Sequence, residues 1–145
     1  MSRKAQKMKA EKKTKRRSVH KKKKYTESDI EQLVRDKQRD DFQQYANEYG
    51  KERNYKSVWF WCGPHKIQNF EQRSPFKLGS IVKLTKCCFV TKAAIGGQGT
   101  WGDVWSACDA VIRNGLIFSP HDVKLYIEDL HQDAEDKNVL HLFVS

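Results

Sequence analysis

Nine cationic side chains stand in two runs near the start of the chain: Lys12, Lys13, Lys15, Arg16 and Arg17, then Lys21, Lys22, Lys23 and Lys24. On an extended backbone such a series neutralises successive phosphates and releases their condensed counterions, giving affinity that ignores base sequence and falls with salt. A second group, Lys51, Arg53 and Lys56, lies just before Trp59, Phe60 and Trp61. In a strand, Trp59 and Trp61 share one face and Phe60 takes the other, so one face offers two rings on which bases can stack. The competing reading makes the same rings core, the usual fate of aromatics in a small domain.

The remaining candidate chemistry is weaker. Gly97, Gly99 and Gly102 fit G-x-G-x-x-G, with Asp122 twenty residues on, in the manner of a dinucleotide fingerprint. Only 43 residues follow Gly102, too few for a doubly wound sheet, and bulky Trp101 stands where backbone must approach a pyrophosphate. The glycine loop is instead expected to offer its amides to an RNA phosphate at the start of a helix. Trp61, Cys62, Gly63, Pro64 and His65 together resemble the W-C-G-P-C redox motif of thioredoxins, but His65 replaces the resolving cysteine, and without that thiol a dithiol cycle cannot run. Cys62 and His65 have ligand-like spacing, yet adjacent Cys87 and Cys88 on a strand point to opposite faces and no pair of C-x-x-C motifs exists. No metal and no cofactor is expected. The histidines His20, His65, His121, His131 and His141 are scattered, with no nucleophile elbow or P-loop beside them, so no enzyme is expected either.

The distribution of charge sharpens the first point. The formal charge of the 145 residues is +10, but residues 1–24 hold thirteen Lys or Arg against one Glu, a net of +12. Residues 25–145 hold fifteen bases against seventeen acids, a net of −2. The basicity belongs to an arm. That arm has almost no apolar side chains with which to offset ordering entropy, so it is expected to be disordered when free. No run of 18 apolar residues and no apolar leader core exists, which argues against a membrane partner or secretion and for reduced thiols. The two basic clusters also have the form of a nuclear import signal, so a nuclear or nucleolar location is expected, with the cytoplasm as second choice.

These residues need a scaffold, and periodicity predicts one: an α+β domain over 25–145. Thr26 or Ser28 caps a long helix carrying Ile30, Leu33, Val34, Phe42, Tyr45, Ala46 and Tyr49 to about residue 49, its apolar face interrupted near Lys37 and Gln38. Strands are expected at 57–62, at 81–90 as one long alternating segment, briefly at 116–118, and at 139–144. A helix from Asp103 stops at Gly115, and Ser119 with Pro120 starts another, through about Leu130, although Val123, Leu125 and Ile127 also alternate. The fold expected is a disordered basic N-terminal arm, a long helix, and a small, mostly antiparallel sheet covered by helices.

Together these features point to non-enzymatic RNA binding of the viral nucleocapsid or RNA-sequestering type, with DNA as a second polyanion. The arm grips phosphates, and the domain adds shape recognition or self-association, for which an exposed last strand would serve. The alternatives of the same plan are a ribosomal protein or ribosome assembly factor, and a protein adaptor whose arm is only an import signal; the partners expected are RNA, a ribonucleoprotein or a second copy of the chain.

Overall fold

A computed structural model of the chain describes residues 24–60 and 66–145. The elements are α1 (Glu27–Glu52), β1 (Val58–Trp59), β2 (Ile81–Thr85), β3 (Val90–Ala94), α2 (Trp101–Phe118), β4 (Tyr126–Gln132) and β5 (Val139–Val144). The fold is α+β, and the five strands form one mixed sheet in the order β1-β4-β5-β2-β3. By contact the chain divides into two units, Met1–Gln38 and Arg39–Ser145.

In the first unit, Thr26 and Asp29 close a reciprocal cap. The Thr26 hydroxyl accepts from the Asp29 amide at 3.1 Å, and the Asp29 carboxylate accepts from the Thr26 amide at 3.1 Å. Of the two caps the sequence offered, Thr26 is the one used. Ile30, Leu33 and Val34, spaced as one helical stripe, are each about half exposed.

In the second unit the last turns of α1 bring Phe42, Tyr45 and Tyr49 against Phe70, whose ring lies 4.6 Å from that of Tyr49. Helix α2 buries Val104, Cys108, Val111 and Ile112 against Val82, Leu84 and Leu140 of the sheet. Alternation decides this: in β2 and β5 every second residue is buried, and its neighbours face the other way. Between the helices sits an aromatic cluster of Trp59, Phe70, Trp101 and Trp105, each no more than 1% exposed. Ring pairs such as Trp59 with Trp105, 5.5 Å apart, add about 0.5–1.5 kcal/mol beyond the area they bury.

Several expectations are corrected. The segment 81–90 is a hairpin, with Lys86 N–H bonded to the Phe89 carbonyl at 2.9 Å where the chain reverses. Residues 116–118 continue α2, and Ser119 is its C-cap, donating to the Gly115 carbonyl, so it does not start a new helix. The segment that follows forms β4, and the alternation of Val123, Leu125 and Ile127 was the true signal. The sheet is mixed, because β1 runs parallel to β4 and β2 parallel to β5, while β2/β3 and β4/β5 are antiparallel. Strand β5 is no exposed edge: it pairs with β4 on one side and β2 on the other. The edges are β1 and β3, and Lys92 on β3 is the kind of charge that discourages edge pairing.

Candidate nucleic-acid interface

Because α2 covers one face of the sheet, the residues that alternate with the core form the other. Their register is explicit. Lys92 pairs with Lys83, Lys83 with His141, and His141 with His131, so four basic or titratable side chains form a row across β3, β2, β5 and β4. Beside the row stand Phe143 and Tyr126, 47% and 48% exposed. Phe60 follows β1 and is 43% exposed, with its ring 5.8 Å from that of Tyr126. The His131 ring lies 4.5 Å from that of Phe143. A shallow cavity of about 240 Å³ between the parallel strands β2 and β5 is lined by Lys83, Lys86, His141 and Phe143.

The acidic groups of this face are already engaged. Asp129 lies 2.8 Å from His131 Nε2, and Asp133 lies 2.8 Å from His141 Nε2. The bond from His141, with two backbone N–H bonds from Glu135 and Asp136, holds the Asp133 carboxyl below its ordinary value. Among the described residues, Lys83, Lys86 and Lys92 form no ion pair.

The second basic group lies elsewhere in the same unit. Lys51 and Lys56 both line a cavity of about 260 Å³ with Tyr55, Ser57 and Trp105. Arg53 lies over the Tyr49 ring, 3.5 Å from its centroid, and also reaches the Tyr49 carbonyl and Glu52. The corner is built on a buried network: Asp109, 3% exposed, accepts from the Ser57 amide at 2.8 Å, the Ser57 hydroxyl at 2.6 Å and Arg113 Nε at 2.6 Å. Ser57 Oγ in turn accepts from Trp105 Nε1 at 3.0 Å, and Arg113 bonds the Asn54 carbonyl. Asn54, in the left-handed region at φ 58°, ends α1 and turns the chain toward β1.

Trp59 is placed differently from the stacking reading. It is 1% exposed and enclosed by Phe70, Trp101 and Trp105, so it is core, and the neighbour pointing the opposite way, Phe60, is the exposed ring. Trp61 lies outside the described residues, as do Lys12, Lys13, Lys15, Arg16, Arg17, Lys21, Lys22 and Lys23 of the arm and the motif with Cys62 and His65. Lys24 is described and exposed.

The glycine loop is closed to a phosphate. Its Gln98 and Thr100 amides donate to Asp103 Oδ2 at 2.8 and 3.1 Å, and the Asp103 amide bonds Thr100 Oγ1. The Trp101 and Gly102 amides donate to the carbonyls of Gln72 and Phe70, which completes the first turn of α2. Burial opposes the charge on Asp103, but the hydrogen bonds from Gln98, Thr100 and Gly99 outweigh it and hold the carboxyl below its ordinary value. The protein's own carboxylate occupies the place an external anion would take.

Cys87 and Cys88 sit exposed at the tip of the hairpin with sulfurs 3.2 Å apart, and Cys108 is buried in α2. Among the described residues no group of three or more His, Cys, Asp or Glu is placed to hold a metal ion. None of their helices is long and apolar enough to cross a membrane.

No family model, curated protein or solved structure matches this chain. The site residues missed by reading the sequence were those of the open sheet face. Their signal was present in the alternation of Lys83 and His141 with buried Val82, Leu84, Leu140 and Leu142. It becomes legible only once the strand order puts β2 beside β5.

Proposed function

We propose that the chain is a non-enzymatic RNA-binding protein in which a basic arm, disordered when free, contacts phosphates while the folded part contributes shape recognition or self-association. The observation that carries this reading is the segregation of charge: net +12 in residues 1–24 beside a net of −2 in the rest. Like charges at that density repel one another, and a polyanion relieves the repulsion while releasing its own counterions. Fully extended, the arm reaches about 80 Å, enough to follow a groove or enter an assembly. Lys51 and Lys56, which share one cavity, and Arg53 beside them supply a second cationic patch on a folded surface. A viral nucleocapsid or an RNA-sequestering protein has this plan, and so does a ribosomal protein or assembly factor; the import-type clusters suit a nuclear or nucleolar location.

The test compares the full chain with a variant lacking residues 1–24 for binding to single-stranded RNA, duplex RNA and duplex DNA across a salt series. Loss of most affinity and flattening of the salt slope on truncation is the expected result. For roughly eight phosphate contacts on a single strand the slope of log affinity against log salt is about −6. If neither form binds at moderate salt, the arm is an import address only and the adaptor reading replaces this one.

A further inference from the structure

We propose that the open face of the sheet binds unpaired bases of a single RNA strand, with Phe143 beside His131 and Phe60 beside Tyr126 as two stacking stations and Lys83, Lys86 and Lys92 as the phosphate contacts. The proposal rests on the RNA-binding reading above and adds to it the class of target and the surface that reads it.

Three observations carry it. The first is that the aromatic rings are on the wrong side for a core. The sheet buries Val82, Leu84, Leu140 and Leu142 beneath α2, yet leaves Phe143, Tyr126 and Phe60 each 43–48% exposed on the opposite face. A sheet with one wet face ordinarily sets polar side chains there. Aromatic rings on such a face are what bases stack on, since every base has a π-face whatever its sequence.

The second is their spacing. Tyr126 and Ser145 exchange both backbone bonds, at 3.0 and 2.9 Å. Phe143, two residues from Ser145, is therefore a diagonal cross-strand neighbour of Tyr126, at about 7–8 Å between α-carbons. Two stations lie close enough for neighbouring nucleotides of one strand. A duplex, whose bases are already stacked and paired, presents only its edges and cannot use them.

The third is charge. Lys83, Lys86 and Lys92 lie on β2, β3 and the turn joining them, on one side of the rings, and engage no carboxylate among the described residues. Among the rings, Asp129, the cross-strand partner of Phe143, is held by His131, and Glu128 accepts from the Ser145 hydroxyl; past the end of β4, Asp133 is held by His141. The face is therefore cationic along β2 and β3 and acidic along β4, which orients a strand with its phosphates over the lysines and its bases over Phe143 and Tyr126. The lysines and histidines interrupt the apolar surface, so the face has no continuous patch of the kind a protein partner or second copy would cover.

The experiment uses the full chain and fluorescence anisotropy with two labelled oligonucleotides, an oligouridylate and an abasic strand of the same length and charge. The arm treats both alike, so any preference for the base-bearing strand reports the stacking face. The expected preference is about a hundredfold, about tenfold from each station, and Phe143→Ala and Phe60→Ala each lower it by about tenfold without changing the salt slope. The pair Lys83→Gln and Lys92→Gln reduces the slope by about 1 to 2 and leaves the preference in place. Ultraviolet crosslinking of oligouridylate to the unmutated chain gives a readout independent of folding: crosslinks on peptides of β4 and β5 are expected. Equal binding of the two strands, or crosslinks confined to residues 1–24, overturns the sheet-face proposal while leaving the RNA-binding reading intact. Absence of binding to either strand removes that reading and this proposal with it.

Discussion

Asp109 gives the sharpest test of how the scaffold is held. Changing it to Ala strands the buried Ser57 amide, which loses its acceptor at 2.8 Å, and frees the Ser57 hydroxyl and Arg113 from bonds of 2.6 Å each. A buried N–H left without a partner costs about 1–3 kcal/mol, and a hydrogen bond to a charged group contributes about 1.5–3 kcal/mol. The Arg113 side chain is 45% exposed, so water recovers much of its share. The total is about 3–5 kcal/mol. In a folded unit of this size that corresponds to a fall in Tm of about 15–30 °C. Asp109→Asn keeps an acceptor for Ser57 but turns an N–H toward Arg113, and should cost about 1–2 kcal/mol. Urea denaturation of both variants measures the difference. A loss below about 1 kcal/mol for Ala, or an Asn variant as damaged as the Ala variant, would refute the reasoning. Ser57 leads directly into β1, so loosening it also disturbs the placement of Phe60, one of the rings of the proposed stacking face.

Gly50→Ala and Gly102→Ala should each destabilise by about 1–3 kcal/mol in the same urea assay, because the new methyl at residue 50 meets the Trp105 ring at 2.7 Å and the one at residue 102 meets the Tyr49 hydroxyl. Both neighbours are pinned in the aromatic cluster, so an unchanged midpoint would contradict the packing described. Alkylation of the native protein followed by peptide mapping should label Cys87 and Cys88 and spare Cys108, whose thiol burial pushes far up; Cys108 should react only in denaturant. Asp103 and Asp133 both have carboxyls lowered from 3.8 in the folded state, so the stability they contribute is fully present above that value and is lost as pH falls through the lowered folded value. The fall in Tm between about pH 5 and pH 2 should therefore be smaller for Asp103→Asn and Asp133→Asn than for the parent chain.

Helix α1 and strand β5 were legible in the sequence, the first from its 3.6-residue apolar spacing and cap, the second from clean alternation. The hairpin of β2 and β3 was not, because its turn at residues 86–89 contains neither glycine nor proline and the alternation runs straight through Cys87 and Cys88. Gly115 misled in the opposite way. It reads as a helix stop, but it lies in α2 where a methyl would meet Phe89 and Val123 at 3.2–3.3 Å, so it is small for the sake of close packing. Ser119 and Pro120 have the form of a helix start, yet the same serine serves as a C-cap, and only the pairing of β4 with β1 and β5 settles the segment that follows. The loop of Gly97 and Gly99 was correctly seen as a strand-to-helix connection, but Gly102 lies inside α2, which begins at Trp101 and not at Asp103. What sequence spacing could not show was that Asp103 folds back onto the loop's amides. Of the candidate site, the aromatic stretch and the opposite facing of Trp59 and Phe60 were found; Trp59 follows the core reading and not the stacking one, and Phe60 is the exposed ring.

The place of β5 has a consequence for how the protein is made. It is the last strand along the described sequence, yet it lies between β4 and β2, so until it is synthesised the sheet exists only as a hairpin of β2 and β3 apart from β4 and β1. More than fifty residues separate Ile81 from its partner Val139, and pairings of such long range are slow to form. At about 5–20 residues per second the arm is outside for several seconds before that centre can close. Under the RNA-binding reading proposed above, a polyanion would meet the nascent arm before the scaffold has closed.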